Sequence, residues 1–463
     1  MSVRRILSSF WMPALLWAAG LACYHFLMAA LKPATGEILP ETFPLYAEIL
    51  PVADAWVAAP VLVFVTWMLL LRWFNGHSGH DPIPIPIVLL FVLAMNVSMA
   101  VTRDGFFALA APFTRITTEY FGDIGKVNDV GDFLRNYSQL SPTLSLHSGT
   151  HPPGPVLYLW LATKLVATGT LRKLWLAVAA ALVGTSLASV PFYKLARHLY
   201  GEKVGRYALG MYVVTPSLVV FGATSMDGVF LLFPMIAVYY FHKSWKEAPI
   251  RYSIYTGLAL AAGMMFTFAT VCVGFVFTIE AILSLRRSPL SKRIWKNLVY
   301  AGVTFVAAYW LLFYATGYNL IDVLRTAMRT ASMLTGSMYS DILHYFNVSV
   351  ANLAAFLIGA GIIAVALWWR EVWKAWDDWR GRREPDLIAG GFAAAIVVLT
   401  FSTLFSTETE RVLMFLIPFV LLPAARNLNT YMTARPNSNA WYGVIVLLFV
   451  QTLATQLALY TGW

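Results

Sequence analysis

The chain has 463 residues, of which 59% are hydrophobic and only 12% charged, with a formal net charge of +10. That composition is too apolar for a soluble globule and marks a multi-pass membrane protein. The basic residues fall in short clusters between apolar segments, as in loops on the inner side of a membrane, which argues against a nucleic-acid partner.

Arg4-Arg5 and the apolar run from Ile6 to Leu31 read as a retained first span, because the run exceeds a signal-peptide core and lacks a small-x-small cleavage site. A span needs ~20 mainly apolar residues, and about thirteen stretches meet that test. They lie near 8–31, 55–74 and 84–102, then, after a long polar loop, near 174–196, 205–222, 227–242, 253–269, 271–286, 297–317, 348–369, 388–405, 412–426 and 441–460. The expected fold is all-α and polytopic, one membrane domain over 1–463. The stretch 153–168 starts at Pro152-Pro153 and carries Lys164, so it is read as a helix lying in the interface without crossing. With the N-terminus inside, every basic cluster then falls on the inner face. The opposite face holds the outer loop 103–173, a second loop 318–346 and short segments at 32–54, Ser225-Met226-Asp227 and 407–411. A bacterial inner membrane with an outward-facing site is the expected setting. Cys23 and Cys272 sit in apolar runs without C-x-x-C spacing and read as small hydrophobes. Gly257 and Gly263 suggest two short helices meeting in a hairpin.

The outer loop concentrates the chemistry. Glu119 and Asp123 are i,i+4, which on a short helix would put both carboxylates on one face. Asp104 stands where the third span leaves the membrane; partial desolvation there would raise its pKa and suit it to general-base work, the alternative being a cap or surface acid. His147 and His151 have the spacing of helical metal ligands. Ser148-Gly149-Thr150 and Pro152-Pro153 argue against a helix, leaving His151 to fix the turn, or either imidazole to donate to a phosphate. Asp227 opens a span, where it can complement the helix dipole or face substrate. Arg411, flanked by Glu408 and Glu410, places a guanidinium at the outer interface; it suits a phosphate head group that the glutamates orient, unless it only snorkels. Tyr120 and Arg103, beside the loop acids, complete the candidate substrate contacts.

The acidic outer loop, His151-Pro-Pro-Gly154 opening an interfacial helix, a next span ending in Tyr193-Lys-Leu-Ala-Arg197-His-Leu-Tyr-Gly201, and Ser225-Met-Asp227 after the following span resemble the GT-C superfamily of integral-membrane glycosyltransferases. That superfamily includes protein O-mannosyltransferases and lipid A aminoarabinose transferases. The resemblance covers mainly 103–242, with Glu410-Arg411 as a weaker echo. It implies transfer of a sugar from a polyprenyl-phosphate donor on the outer face to a glycan, lipid or protein acceptor. The family's loop acid would correspond to Asp123 or Asp104. Two spans, not one, precede the segment leading into that loop. No tight Asp-Glu or Asp-x-Asp pair appears, which weakens the case for an obligatory divalent metal without closing it; no other cofactor is expected. The competing class is a transporter or flippase of lipids or lipid-linked sugars; it would set charges near mid-membrane, yet the span interiors are nearly uncharged.

Overall fold

Apolar runs interrupted by proline and glycine produce helices of unequal length. The computed structural model describes residues 19–20, 42, 44–77, 81–165, 169–286, 290–335, 342–402, 404, 408–435 and 439–462. The expected first span at 8–31 and Cys23 lie outside the described residues, apart from 19–20.

A short strand β1 (Glu48–Ile49) leads into α1 (Ala58–His77) and α2 (Ile85–Ala100). The loop 103–173 contains α3 (Val130–Arg135), α4 (Tyr137–Leu140), α5 (Leu146–Thr150) and α6 (Gly154–Thr163). Next come α7 (Thr170–Tyr200), α8 (Glu202–Tyr212), α9 (Pro216–Val220), α10 (Asp227–Ser244), α11 (Pro249–Phe266), α12 (Val271–Leu283) and α13 (Leu290–Thr316). The last third holds α14 (Leu320–Thr335), α15 (Ile342–Ala360), α16 (Ile362–Arg380), α17 (Leu387–Thr400), α18 (Thr409–Val412), α19 (Ile417–Ala434), α20 (Ala440–Ala458) and β2 (Leu459–Tyr460).

Among the described residues, four helices are long and apolar enough to cross a membrane, namely α1 with its preceding turn, α7, α13 and α20. Others of the expected spans are short or broken, for identifiable reasons. The span read at 348–369 is two helices, α15 and α16, meeting at 108°. Gly361 makes the bend: its φ is +91°, and a Cβ there would meet Leu448 Cδ2 at 2.3 Å. The span read at 205–222 is likewise divided, since Pro216 has no N–H to continue the ladder and restarts the chain as α9. The segment after Pro152-Pro153 forms only the 10 residues of α6, about 15 Å and too short to cross a bilayer core.

Two buried clusters divide the molecule. The larger packs α1, α2, the second half of α7, α8, α10, α12, α16, α17, α19 and α20. The smaller gathers the outer loop, with Tyr120, Phe133 and Tyr137, against α6, the first half of α7, the start of α10 and the ends of α11 and α13. Small residues set the key crossing. A Cβ on Gly184 of α7 would meet Val229 N at 2.3 Å, and one on Gly228 of α10 would meet Thr185 Oγ1 at 2.4 Å, so the two backbones touch immediately below Asp227. Gly257 serves a similar close crossing of α11 with Ala301 of α13.

Candidate active site

The loop 103–173 is shaped by backbone pairing before any side chain contributes. The amides of Leu146 and His147 donate to the carbonyls of Thr117 and Thr118, each at 3.0 Å. This lays the segment before Glu119 alongside α5. The Tyr137 hydroxyl donates to the carbonyls of Ser148 at 2.7 Å and His151 at 3.0 Å, fixing the turn between α5 and α6. Gly154 then presses against Met265, where a Cβ would lie 2.2 Å from the carbonyl oxygen. The Pro-Pro-Gly elbow thereby brings His151 against the first turns of α10.

Glu119 is buried, and its Oε1 lies 3.3 Å from His147 Nε2. His147 and Tyr120 have ring centroids 5.8 Å apart, and Tyr120 meets His151 edge-on at 5.7 Å. His151 stacks on Phe230 at 5.7 Å, and its Nδ1 is 3.0 Å from the His147 carbonyl. Burial, then the neighbouring His147, pushes the His151 imidazole down to about 4, so it is neutral at physiological pH. The Tyr120 phenol is pushed well up by burial and by Asp227 and Glu119.

On the other side of this aromatic group stands Arg411. Its Nη1 donates to Asp227 Oδ2 at 2.6 Å and its Nε to Glu408 Oε2 at 2.9 Å. Burial opposes its charge, but Asp227 and Glu408 outweigh that and hold the guanidinium ionised. Glu119 also acts on Arg411 electrostatically. His151, Asp227, Phe230, Thr267, Arg411 and Phe415 are among the residues lining a narrow, mostly apolar cleft. The cleft is small, about 30 Å³, and sets the guanidinium beside aromatic rings in its lining.

The remaining candidates sit elsewhere. Asp123 does not share a face with Glu119, because Tyr120–Lys126 is a 3-10 helix that eclipses i and i+3, and Glu119 precedes it in extended conformation. Asp123 is 2% exposed and ties the loop together: its Oδ2 accepts the Ser145 amide at 2.9 Å and its Oδ1 pairs with Lys126 at 3.0 Å. Burial alone would raise its pKa, but the Ser145, Ser148 and Lys126 contacts bring it below the ordinary value. Asp104 is exposed, not desolvated, and occupies a left-handed turn at φ +58°. Arg103 points away from the cluster and clasps β1 to β2, donating from Nη2 to the carbonyls of Leu50 at 2.7 Å, and Gln456 and Leu459 at 3.1 Å. Glu410 is turned from Arg411 into a separate apolar pocket beside Ser217 and Gly359, where its Oε1 accepts the Tyr46 amide at 3.0 Å. Burial pushes its carboxyl up to about 7.

The His147 segment is helical after all, as the single turn α5, with His151 just past its end. Even so, no group of three or more His, Cys, Asp or Glu positioned to hold a metal occurs among the described residues. Thr267 and Phe415, which line the cleft, were not singled out from sequence. Thr267 stands between α11 and the 3-10 turn before α12, where its side chain accepts the Ala269 amide.

Residues 150–313 match the model of the dolichyl-phosphate-mannose-protein mannosyltransferase family. No curated protein matches the chain. The apo oligosaccharyltransferase of Archaeoglobus fulgidus superposes with a TM-score of 0.51 at 12% identity, covering 83% of this chain and 56% of its own. ArnT from Cupriavidus metallidurans, also apo, gives 0.47 at 14% identity, with 83% and 61% covered. The archaeal oligosaccharyltransferase AglB, in complex with an inhibitory peptide and a dolichol-phosphate, gives 0.45 at 11% identity. The chain therefore spans little more than half the length of these proteins.

Proposed function

From a chain with the GT-C membrane fold, we propose a glycosyltransferase that moves a sugar from a polyprenyl-phosphate carrier to an acceptor on the outer face of the membrane. The observation that carries this reading is the convergence of Glu119, Tyr120, His147, His151, Asp227 and Arg411 from three distant stretches of chain at one end of α10. Glu119 replaces Asp123 and Asp104 as the base, because Asp123 is spent on loop structure and Asp104 faces solvent.

In the proposed reaction an acceptor hydroxyl gives its proton to the Glu119 carboxylate as its oxygen bonds to the anomeric carbon. The bond from that carbon to the phosphate oxygen breaks, and its electron pair leaves with the phosphate. Positive charge builds on the sugar and negative charge on the leaving oxygen. Arg411 opposes the second, and gains most in the transition state, where that charge is largest. Asp227 and Glu408 aim the guanidinium, and His147 orients the Glu119 carboxylate. Neutral His151 and Phe230 form an apolar wall for the first isoprene units.

Purified protein in liposomes, given a radiolabelled polyprenyl-phosphate sugar, should transfer label to a lipid, glycan or peptide acceptor, and Glu119→Gln should slow it by roughly 10²–10⁴. Movement of the lipid between leaflets without any transfer would sink the proposal in favour of a transporter. The proposed orientation is tested by single cysteines in the outer loop (Asp132→Cys) and at the Trp-rich end of α16 (Lys374→Cys). Only the first should react with an impermeant reagent applied from outside.

A further inference from the structure

Charge is unevenly spread where the loop 103–173 gives way to α7. No Asp or Glu occurs between Asp132 and Glu202, whereas Lys164, Arg172 and Lys173 stand where α6 ends and α7 begins. None of the three makes an ion pair or a side-chain hydrogen bond among the described residues. Lys164 lies over the Trp160 ring at 4.6 Å. Cations at helix ends commonly snorkel, so charge alone specifies no ligand.

The second feature is a notch beside these cations, of about 420 Å³, lined by Leu165, Leu171, Arg172, Trp175 and Leu176. Leu165 and Leu171 are 80% and 67% exposed. The Tyr158 hydroxyl donates to the Ala180 carbonyl at 2.8 Å, so the two helices that supply the walls are fixed to each other. Depth matters as well. α7 is long and apolar enough to cross a membrane, and its 31 residues span about 46 Å, against about 40–45 Å for a bilayer with its head groups. Its first turn, with Arg172 and Lys173, therefore reaches the phosphates, while Trp175 and Leu176 lie deeper, toward the acyl chains.

We propose that this notch seats one anionic phospholipid, its acyl chain against Leu165, Leu171, Trp175 and Leu176 and its head group against Lys164, Arg172 and Lys173. A zwitterionic head group would bring a fourth cation among these three, so the site selects a net negative one. A free phosphate would leave the leucines uncovered, so the occupant is a lipid. The site stands apart from the glycosyl-transfer reading, because none of these residues lines the cleft at Asp227 and Arg411.

The test titrates full-length protein in detergent with phosphatidylglycerol or with phosphatidylcholine of the same chains, and reads bound lipid by native mass spectrometry. Phosphatidylglycerol should be retained in preference. Arg172→Gln and Lys173→Gln should each weaken its binding about fivefold, one cation's share near an anionic head group, and the double variant roughly thirtyfold. Leu171→Gln keeps every cation but should also weaken binding. Lys374→Gln, at the Trp-rich end of α16, should leave it unchanged. Leu171 and Arg172 are exposed and Lys173 is half-buried, and an unchanged melting temperature in lipid-free detergent shows that each variant is folded. Equal binding of the two lipids, an equal loss in Lys374→Gln, or wild-type binding in Leu171→Gln would each overturn the assignment.

Discussion

Replacing Arg411 by lysine separates its structural role from its chemical one. The guanidinium contacts Asp227 and Glu408 at 2.6 and 2.9 Å in a buried setting, so Arg411→Gln strands two carboxylates and should cost about 3–5 kcal/mol of stability. Lysine keeps the charge but not the planar fork, and its single ammonium serves the two carboxylates less well. A cost of ~1.5–3 kcal/mol, that of one charged hydrogen bond, is expected. If the guanidinium also meets the leaving phosphate, both variants should lose about 10²–10³ in transfer rate, the usual effect of removing one donor from a developing oxyanion. The assay pairs thermal unfolding in detergent with initial rates of sugar transfer, each normalised to folded protein. An Arg411→Lys enzyme that is folded and transfers at the wild-type rate would refute the phosphate role and leave Arg411 a structural ion pair.

Glu119→Gln should retain the fold and lose roughly 10²–10⁴ in rate, the range for a general base, whereas Asp104→Asn should change neither; single-turnover transfer checks both. Asp123→Asn should instead lower the melting temperature, because a carboxylate bonded to Ser145 and Lys126 is worth about 1–3 kcal/mol when buried; its rate per folded molecule should stay near wild type. Glu410 gives a pH signature. Its folded pKa is raised from the ordinary 4.5 to about 7, so between those values the folded state holds the proton that the unfolded state releases. Stability should therefore fall as pH rises through that window, by about 3 kcal/mol in all. Melting curves at pH 5 and pH 8 should show this slope in the wild type and lose it in Glu410→Gln.

Much of the architecture is legible in residue order. Apolar runs announce the helical membrane fold, but not its breaks: 205–222 and 348–369 each read as one span, and Pro216 and Gly361 divide them. The ends Asp227 and Arg411 are visible because each opens an apolar segment with a charge. The choice among loop acids is not visible. Glu119 and Asp123 have helical spacing, yet a 3-10 turn and the Ser145 amide send them in different directions, and that amide lies 22 positions away. Glu410 and Arg411 are adjacent but face different pockets, a consequence of helical geometry that a charge pattern cannot order. Arg103 looks like an anion ligand until the carbonyls of Gln456 and Leu459, from the far end of the chain, close around it.

The glycine seam between α7 and α10 packs one jaw of the cleft backbone against backbone. With backbone pressed on backbone at Gly184 and Gly228, the main chain sets where the Asp227 carboxylate stands. In the proposed reaction, adjustment to carriers of different width would fall to the opposing jaw, the 408–412 segment, where Glu408 holds a left-handed turn at φ +55°. In the proposed reaction, breadth of donor tolerance would be a property of that short segment, and grafting it between related chains is the economical way to test this.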